Sequence, residues 1–93
     1  MILMLMEGDY FKNVGILDGY LLVADRSLEP ADKQLVVATV GDRQIARRLI
    51  FCEGRRYLIV DDDSCEAIEI EKASGANISA VITSIIPVIS GPK

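Results

Sequence analysis

Short apolar runs alternate with turn-forming clusters along this chain at intervals of roughly ten residues, the rhythm of a small antiparallel β protein. Residues 2–6 are apolar and end at Glu7-Gly8-Asp9, as a strand does on meeting a turn. Residues 12–19 carry two glycines and an asparagine and read as a loop with one helical turn. Residues 20–24 form a continuous apolar run stopped by Asp25-Arg26, which predicts a buried strand. Residues 27–33, with Pro30 among charges, predict a surface connection. Residues 35–40 and 43–52 read as the two arms of a hairpin turning at Gly41-Asp42. Beyond the turn signal Glu53-Gly54-Arg55, strands are predicted over 56–60 and 67–70, then a polar loop over 71–77. Residues 78–89 close the chain as an apolar strand, and Pro87 suits a sheet edge or a bulge there. The fold class that follows is mostly β, a small antiparallel sheet or half-open barrel.

Within the predicted arm 43–52, Ile45, Arg47 and Leu49 fall on one face, so Arg47 shares a face with apolar neighbours. The length of 93 residues allows one domain, 1–93. An apolar share of 51% is high for so short a chain. Two readings stand: a Val/Ile-rich core, or apolar surface buried against a second copy.

Charge narrows the choice of partner. A net charge of −4 and a pI near 4.6 argue against direct binding to nucleic acid, which needs a basic patch. The one basic cluster, Arg43, Arg47, Arg48, Arg55 and Arg56, is flanked by acids and reads as a solvated mixed-charge surface. Asp61-Asp62-Asp63, with Glu66 and Glu69 nearby, reads as a solvated acidic turn, because consecutive side chains there point to alternating sides. Cys52 and Cys65 have neither CxxC spacing nor a histidine to complete a zinc site. They are expected to be reduced core filler, and no metal or cofactor is expected. The apolar start, with Met1, Met4 and Met6, lacks the basic flank and length of a signal peptide and is too short to span a bilayer. No membrane association and a cytoplasmic location are therefore expected.

Two segments carry a specific resemblance. Gly8-Asp9-Tyr10-Phe11-Lys12-Asn13-Val14-Gly15-Ile16-Leu17-Asp18-Gly19-Tyr20 aligns without a gap to a Gly-Asp-Ser-Met segment followed by a short turn and Asp-Gly-Asp. Ile45-Ala46-Arg47-Arg48-Leu49 aligns to Thr-Val-Lys-Lys/Arg-Leu. Together they resemble the nucleophile and general-base segments of the LexA/UmuD group of self-cleaving serine proteases, the peptidase S24 family, with UmuD the nearest pattern. Residues 21–30, 35–38, 58–70 and 81–86 resemble further family segments, so the likeness covers nearly the whole chain. Departures are Tyr20 for an aspartate, Val60 and Ala67 for prolines, and Ala80 for a glycine. The resemblance implies that Gly8, Asp9, Asp18 and Gly19 are remnants of the nucleophile turn. It places Tyr10 where the family has its serine and Arg47 where it has its lysine.

Those two changes are chemically severe. A Ser-Lys dyad needs a lysine that loses its proton near neutral pH and then takes one from the serine hydroxyl. Arginine keeps its proton at any pH a protein meets, and the chain has no histidine to replace the base. Ser27, Ser64, Ser74, Ser79, Ser84, Ser90, Lys12, Lys33 and Lys72 all lie outside the two segments. The Ala-Gly or Cys-Gly bond that family members cut in an N-terminal arm has no counterpart before Glu7. The resemblance therefore implies a pseudo-protease. Tyr10 and Arg47 either stack and plug the old cleft or point separately to solvent.

What such a domain would keep is pairing. The resemblance implies a homodimer formed through strands near the C-terminus, here Ile78, Val81, Ile82, Ile85 and Ile86, expected to lie on an unpaired edge. It further implies a UmuD-like, LexA-like or error-prone-polymerase partner in the SOS response, DNA repair and translesion synthesis. The alternative is a repressor-like dimerisation domain, of phage or plasmid type, acting as a decoy or regulator. An active peptidase is the poorest reading.

Overall fold

The computed structural model describes residues 1–8, 10–61, 66–72 and 75–88. Asp9, Asp62, Asp63, Ser64, Cys65, Ser74, Ile89 and Ser90, each given a part above, lie outside the described residues. Seven strands form one sheet: β1 (Ile2–Leu5), β2 (Leu21–Asp25), β3 (Leu35–Val40), β4 (Arg43–Cys52), β5 (Arg55–Ile59), β6 (Ala67–Glu69) and β7 (Ala76–Ile86). All pairings are antiparallel, in the order β1-β2-β7-β3-β4-β5-β6. The fold is the mostly-β half-barrel that the turn spacing predicts. The helical turn predicted between the first two strands is a 3₁₀ turn over Lys12–Val14.

The predicted edge at the C-terminus is corrected. β7 is internal, bonded to β2 along Val81–Ile86 and to β3 along Ala76–Val81. Val81 is buried within the chain itself, and Ile78 and Ile82 pack on core clusters. Of the five residues assigned to a dimer edge, only Ile85 and Ile86 are exposed. Pro87 follows the end of the strand, where its missing N–H interrupts no ladder. Residues 82–86 run past the start of β3 and are paired there on the β2 side alone among the described residues.

Two bulges bend this central strand. The register skips Ser79 opposite Val37/Ala38 and Thr83 opposite Val23/Ala24. Each extra residue reverses which face the following side chains meet and sharpens the local twist. Both are polar residues in a largely apolar strand, and both make cross-strand bonds: the Ser79 and Thr39 hydroxyls lie 2.7 Å apart, and Thr83 Oγ1 donates to the Val23 carbonyl at 3.3 Å.

The curled sheet buries side chains on both faces. Val36, Ala38, Leu49, Leu58, Ile70 and Val81 form one cluster. Met6, Phe11, Ile16, Leu22 and Ala46 form another under the β1–β2 connection. Residues 20–24, expected to be buried throughout, instead alternate: Leu22 and Ala24 are buried, while Leu21 and Val23 are half-exposed. Cys52, expected in the core, is exposed at the end of β4. Removing a fully buried side chain forfeits its transfer energy and leaves a cavity. Leu49→Ala and Leu58→Ala should therefore each cost about 2–5 kcal/mol in urea unfolding. Phe51→Ala, on the same strand but 47% exposed, should cost far less.

Candidate functional site

The loop after β1 is shaped by its own backbone. Phe11 and Ile16 are buried and flank the 3₁₀ turn, with Val14 N–H and Ile16 N–H both donating to the Phe11 carbonyl at 3.1 Å. Gly15 caps the turn in the left-handed region, and its N–H reaches the Lys12 carbonyl. Gly19 N–H donates to Met6 O at 2.7 Å, and Met6 N–H to Tyr20 O at 2.8 Å, so the loop closes back on the β1–β2 ladder. Across it, Gly8 N–H donates to Asp18 Oδ1 at 2.7 Å. Gly8, Asp18 and Gly19, grouped from the sequence alone, thus form one closed turn. Sinking Phe11 into the core presents the neighbouring Tyr10, half-buried, towards β4.

There Tyr10 meets Arg47. The Arg47 guanidinium carbon lies 4.6 Å from the centroid of the Tyr10 ring, within cation–π range. Of the two arrangements open from sequence, the structure takes the stacked one. The ring also lies against Gly8: a Cβ built there would come within 2.9 Å of Tyr10 Cε2, and Gly8 has φ +87°. Arg47 Nη1 donates to the Ala46 carbonyl at 2.7 Å, and Ile45 and Leu49 on the same face of β4 pack in the core as its alternation predicts.

The two side chains lie at a cleft of about 180 Å³ between Met4–Gly8 and Arg43–Arg47. Among the described residues both backbones have an open side there: β1 is the sheet edge, and β5 pairs with β4 only from Arg48 onward. Arg47 also lines a second cavity of about 290 Å³ with Leu58, Glu66, Ala67 and Ile68. Among the described residues, the hydroxyl facing the first cleft is that of Tyr10, and its cations are the guanidinium groups of Arg43 and Arg47. Arginine has no accessible neutral form, so these groups can bind or stack but not take up a proton.

The basic cluster is not uniformly solvated. Arg55 pairs with Glu69 and Arg56 with Glu71 at the surface, where Arg56 holds the Glu71 carboxyl below the usual range. A hydrogen bond from the Ser27 hydroxyl likewise lowers Asp25. Arg48, however, forms a bidentate pair with Asp61, with contacts of 2.7, 3.1 and 3.2 Å, and both side chains are mostly buried. Asp61 is therefore corrected from a member of a solvated acidic turn to one half of a shielded ion pair. No periodicity marks that pairing, because the two residues are 13 positions apart and meet only across the β4–β5 hairpin.

The comparisons agree with this geometry. The Peptidase S24-like family model matches residues 1–83. The chain is 34% identical over 65 residues to the LexA repressor of Hahella chejuensis, 32% over 72 to that of Vibrio cholerae and 33% over 72 to that of Burkholderia cenocepacia. These alignments cover 70–77% of the chain but only 32–34% of the repressors, so the chain spans about one third of their length. The chain belongs to the peptidase S24-like family, as a LexA/UmuD-like domain.

The contact between Gly8 and the Tyr10 ring makes a direct prediction. Gly8→Ala places a side chain at positive φ against that ring and should cost about 1–3 kcal/mol in thermal or urea unfolding. Asp18→Ala, which removes the acceptor for Gly8 N–H at an exposed site, should cost about 0.5–1.5 kcal/mol.

Proposed function

We propose that this is a catalytically inactive LexA/UmuD-like domain that works by pairing with itself or with a related chain, as an accessory protein of the SOS response and translesion synthesis. The observation that carries this reading is the Tyr10–Arg47 stack. The two side chains that stand in place of serine and lysine occupy the cleft between β1 and β4. Neither side chain is a serine hydroxyl or a lysine amine, and the guanidinium has no accessible neutral form with which to take a proton. Two of the remaining serines are engaged elsewhere, Ser27 with Asp25 and Ser79 with Thr39.

Surface features favour pairing. Leu5, Leu21 and Ile86 lie side by side across β1, β2 and β7, with Leu3 next to them, and Leu3, Leu5 and Ile86 are 59%, 57% and 46% exposed. They give one face of the C-terminal end of β7 an apolar surface that a partner would cover, while Ile85, opposite Leu22, leaves the other face. The likeness to LexA repressors favours a second reading, a dimerisation domain that pairs with a LexA-like repressor and weakens its DNA binding.

Three measurements test these statements. At alkaline pH the purified chain should neither cut itself nor cut a LexA/UmuD-like substrate; cleavage abolished by Tyr10→Phe would overturn the assignment. In analytical ultracentrifugation the chain should sediment as a dimer, and Leu5→Glu with Ile86→Glu, both on the apolar row, should return it to monomer without unfolding it. A tagged copy recovered from DNA-damaged host cells should bring down an error-prone polymerase or a UmuD-like protein. Recovery of a LexA-like repressor instead supports the decoy.

A further inference from the structure

We infer that Asp61 is the positioning residue of the filled cleft, holding the Tyr10 loop against β4 so that the Tyr10 ring and Arg47 meet. The inference rests on the reading that these two side chains plug the site. Three groups of Asp61 act together. Its N–H donates to the Tyr10 carbonyl at 3.1 Å. Its carbonyl accepts from Asn13 Nδ2 at 3.0 Å, one turn further along the same loop. Its carboxylate takes Arg48 Nε and Nη2, the latter at 2.7 Å, and Arg48 Nη1 donates in turn to the Lys33 carbonyl at 2.8 Å.

Arg48 directly follows Arg47, and on a strand their side chains leave opposite faces. The contacts therefore close a circuit: Tyr10 backbone, Asp61, the Arg48 side chain, the β4 backbone, the Arg47 side chain and the Tyr10 ring. Two of its links are directional. A bidentate guanidinium–carboxylate pair fixes orientation as well as distance, and at 24% and 18% side-chain exposure it is partly shielded from water. Phe11 and Ile16 anchor the loop in the core, and the Gly8–Asp18 and Gly19–Met6 bonds close it on itself and on β1. The polar tie at Asp61 decides where Tyr10 stands along β4.

The test separates positioning from plain stability. Nuclear magnetic resonance on the full chain reads two local signals: the ring-current displacement of the Arg47 side chain by Tyr10, and amide exchange at Val14 and Ile16, whose N–H groups bond to Phe11. Amides of Leu49 and Leu58, in the core cluster, report global opening. In Asp61→Ala the Arg47 displacement should fall by more than half. Exchange at Val14 and Ile16 should rise at least tenfold more than at Leu49 and Leu58. Asp61→Asn and Arg48→Lys, milder changes suited to the case where alanine unfolds the chain, should move both signals the same way by less. Unchanged local signals, or equal acceleration of all four amides, would overturn the inference. A wild-type chain with no Arg47 displacement would overturn the plug reading itself, while loop exchange in the variants would still decide whether Asp61 places the loop.

Discussion

β7 is the constraint on which the rest of this molecule depends. Among the described residues the β1–β2 hairpin and the β3–β6 meander make no strand pairing with each other, and β7 is bonded to both. Tyr10 hangs from the first unit and Arg47 belongs to the second, and β7 sets the two units side by side in one sheet. Antiparallel pairing over long sequence separation is costly in loop-closure entropy. Burial of Val81 and Ala80 on opposite faces of β7, together with two full ladders, offsets that cost. The bulges at Ser79 and Thr83 then supply the bend that turns a flat ribbon into a half-barrel with a cleft.

The cleft illustrates how little must change to alter what a site can do. Lysine and arginine are both long cations, yet only lysine can be driven to its neutral form by burial. An arginine facing a tyrosine instead finds a quadrupole to stack on, and the planar guanidinium suits the ring face. The loop geometry around Tyr10 comes from Phe11 and Ile16 in the core, from glycine at positive φ and from the Gly8–Asp18 bond.

The exposed apolar residues gather where the sheet is least enclosed. The 3₁₀ loop covers one face of the β1–β2 end through Phe11 and Ile16, while the row Leu5, Leu21, Ile86 lies on the other face. At the opposite end the short edge strand β6 carries Glu69 paired to Arg55, and charge of this kind discourages further strand addition. The two ends of the sheet therefore differ in the surface they offer, one apolar and one charged.

Much of the fold was legible because period-2 apolar runs and Gly/Asp/Asn turns act locally. The seven strands, the Gly41-Asp42 hairpin and the single helical turn all follow from residues within a few positions of one another. The turn that joins Gly8 to Asp18 was expected from the family resemblance rather than from local pattern, and the Gly8–Asp18 hydrogen bond closes it. The order of strands was not legible. A run as apolar as residues 76–86 suits an uncovered edge or a doubly bonded centre equally well, and only its ladders to β2 and β3 placed it inside. Likewise Asp61 looked like one of three solvated acids until the β4–β5 hairpin brought Arg48 to it. The sequence by itself determined the elements, the turn around Tyr10 and a cation at residue 47 that has no accessible neutral form. Tertiary structure alone decided which strand is central, that Arg47 stacks on Tyr10, and that Asp61 ties their two segments together, because those outcomes depend on contacts between residues that no local pattern links.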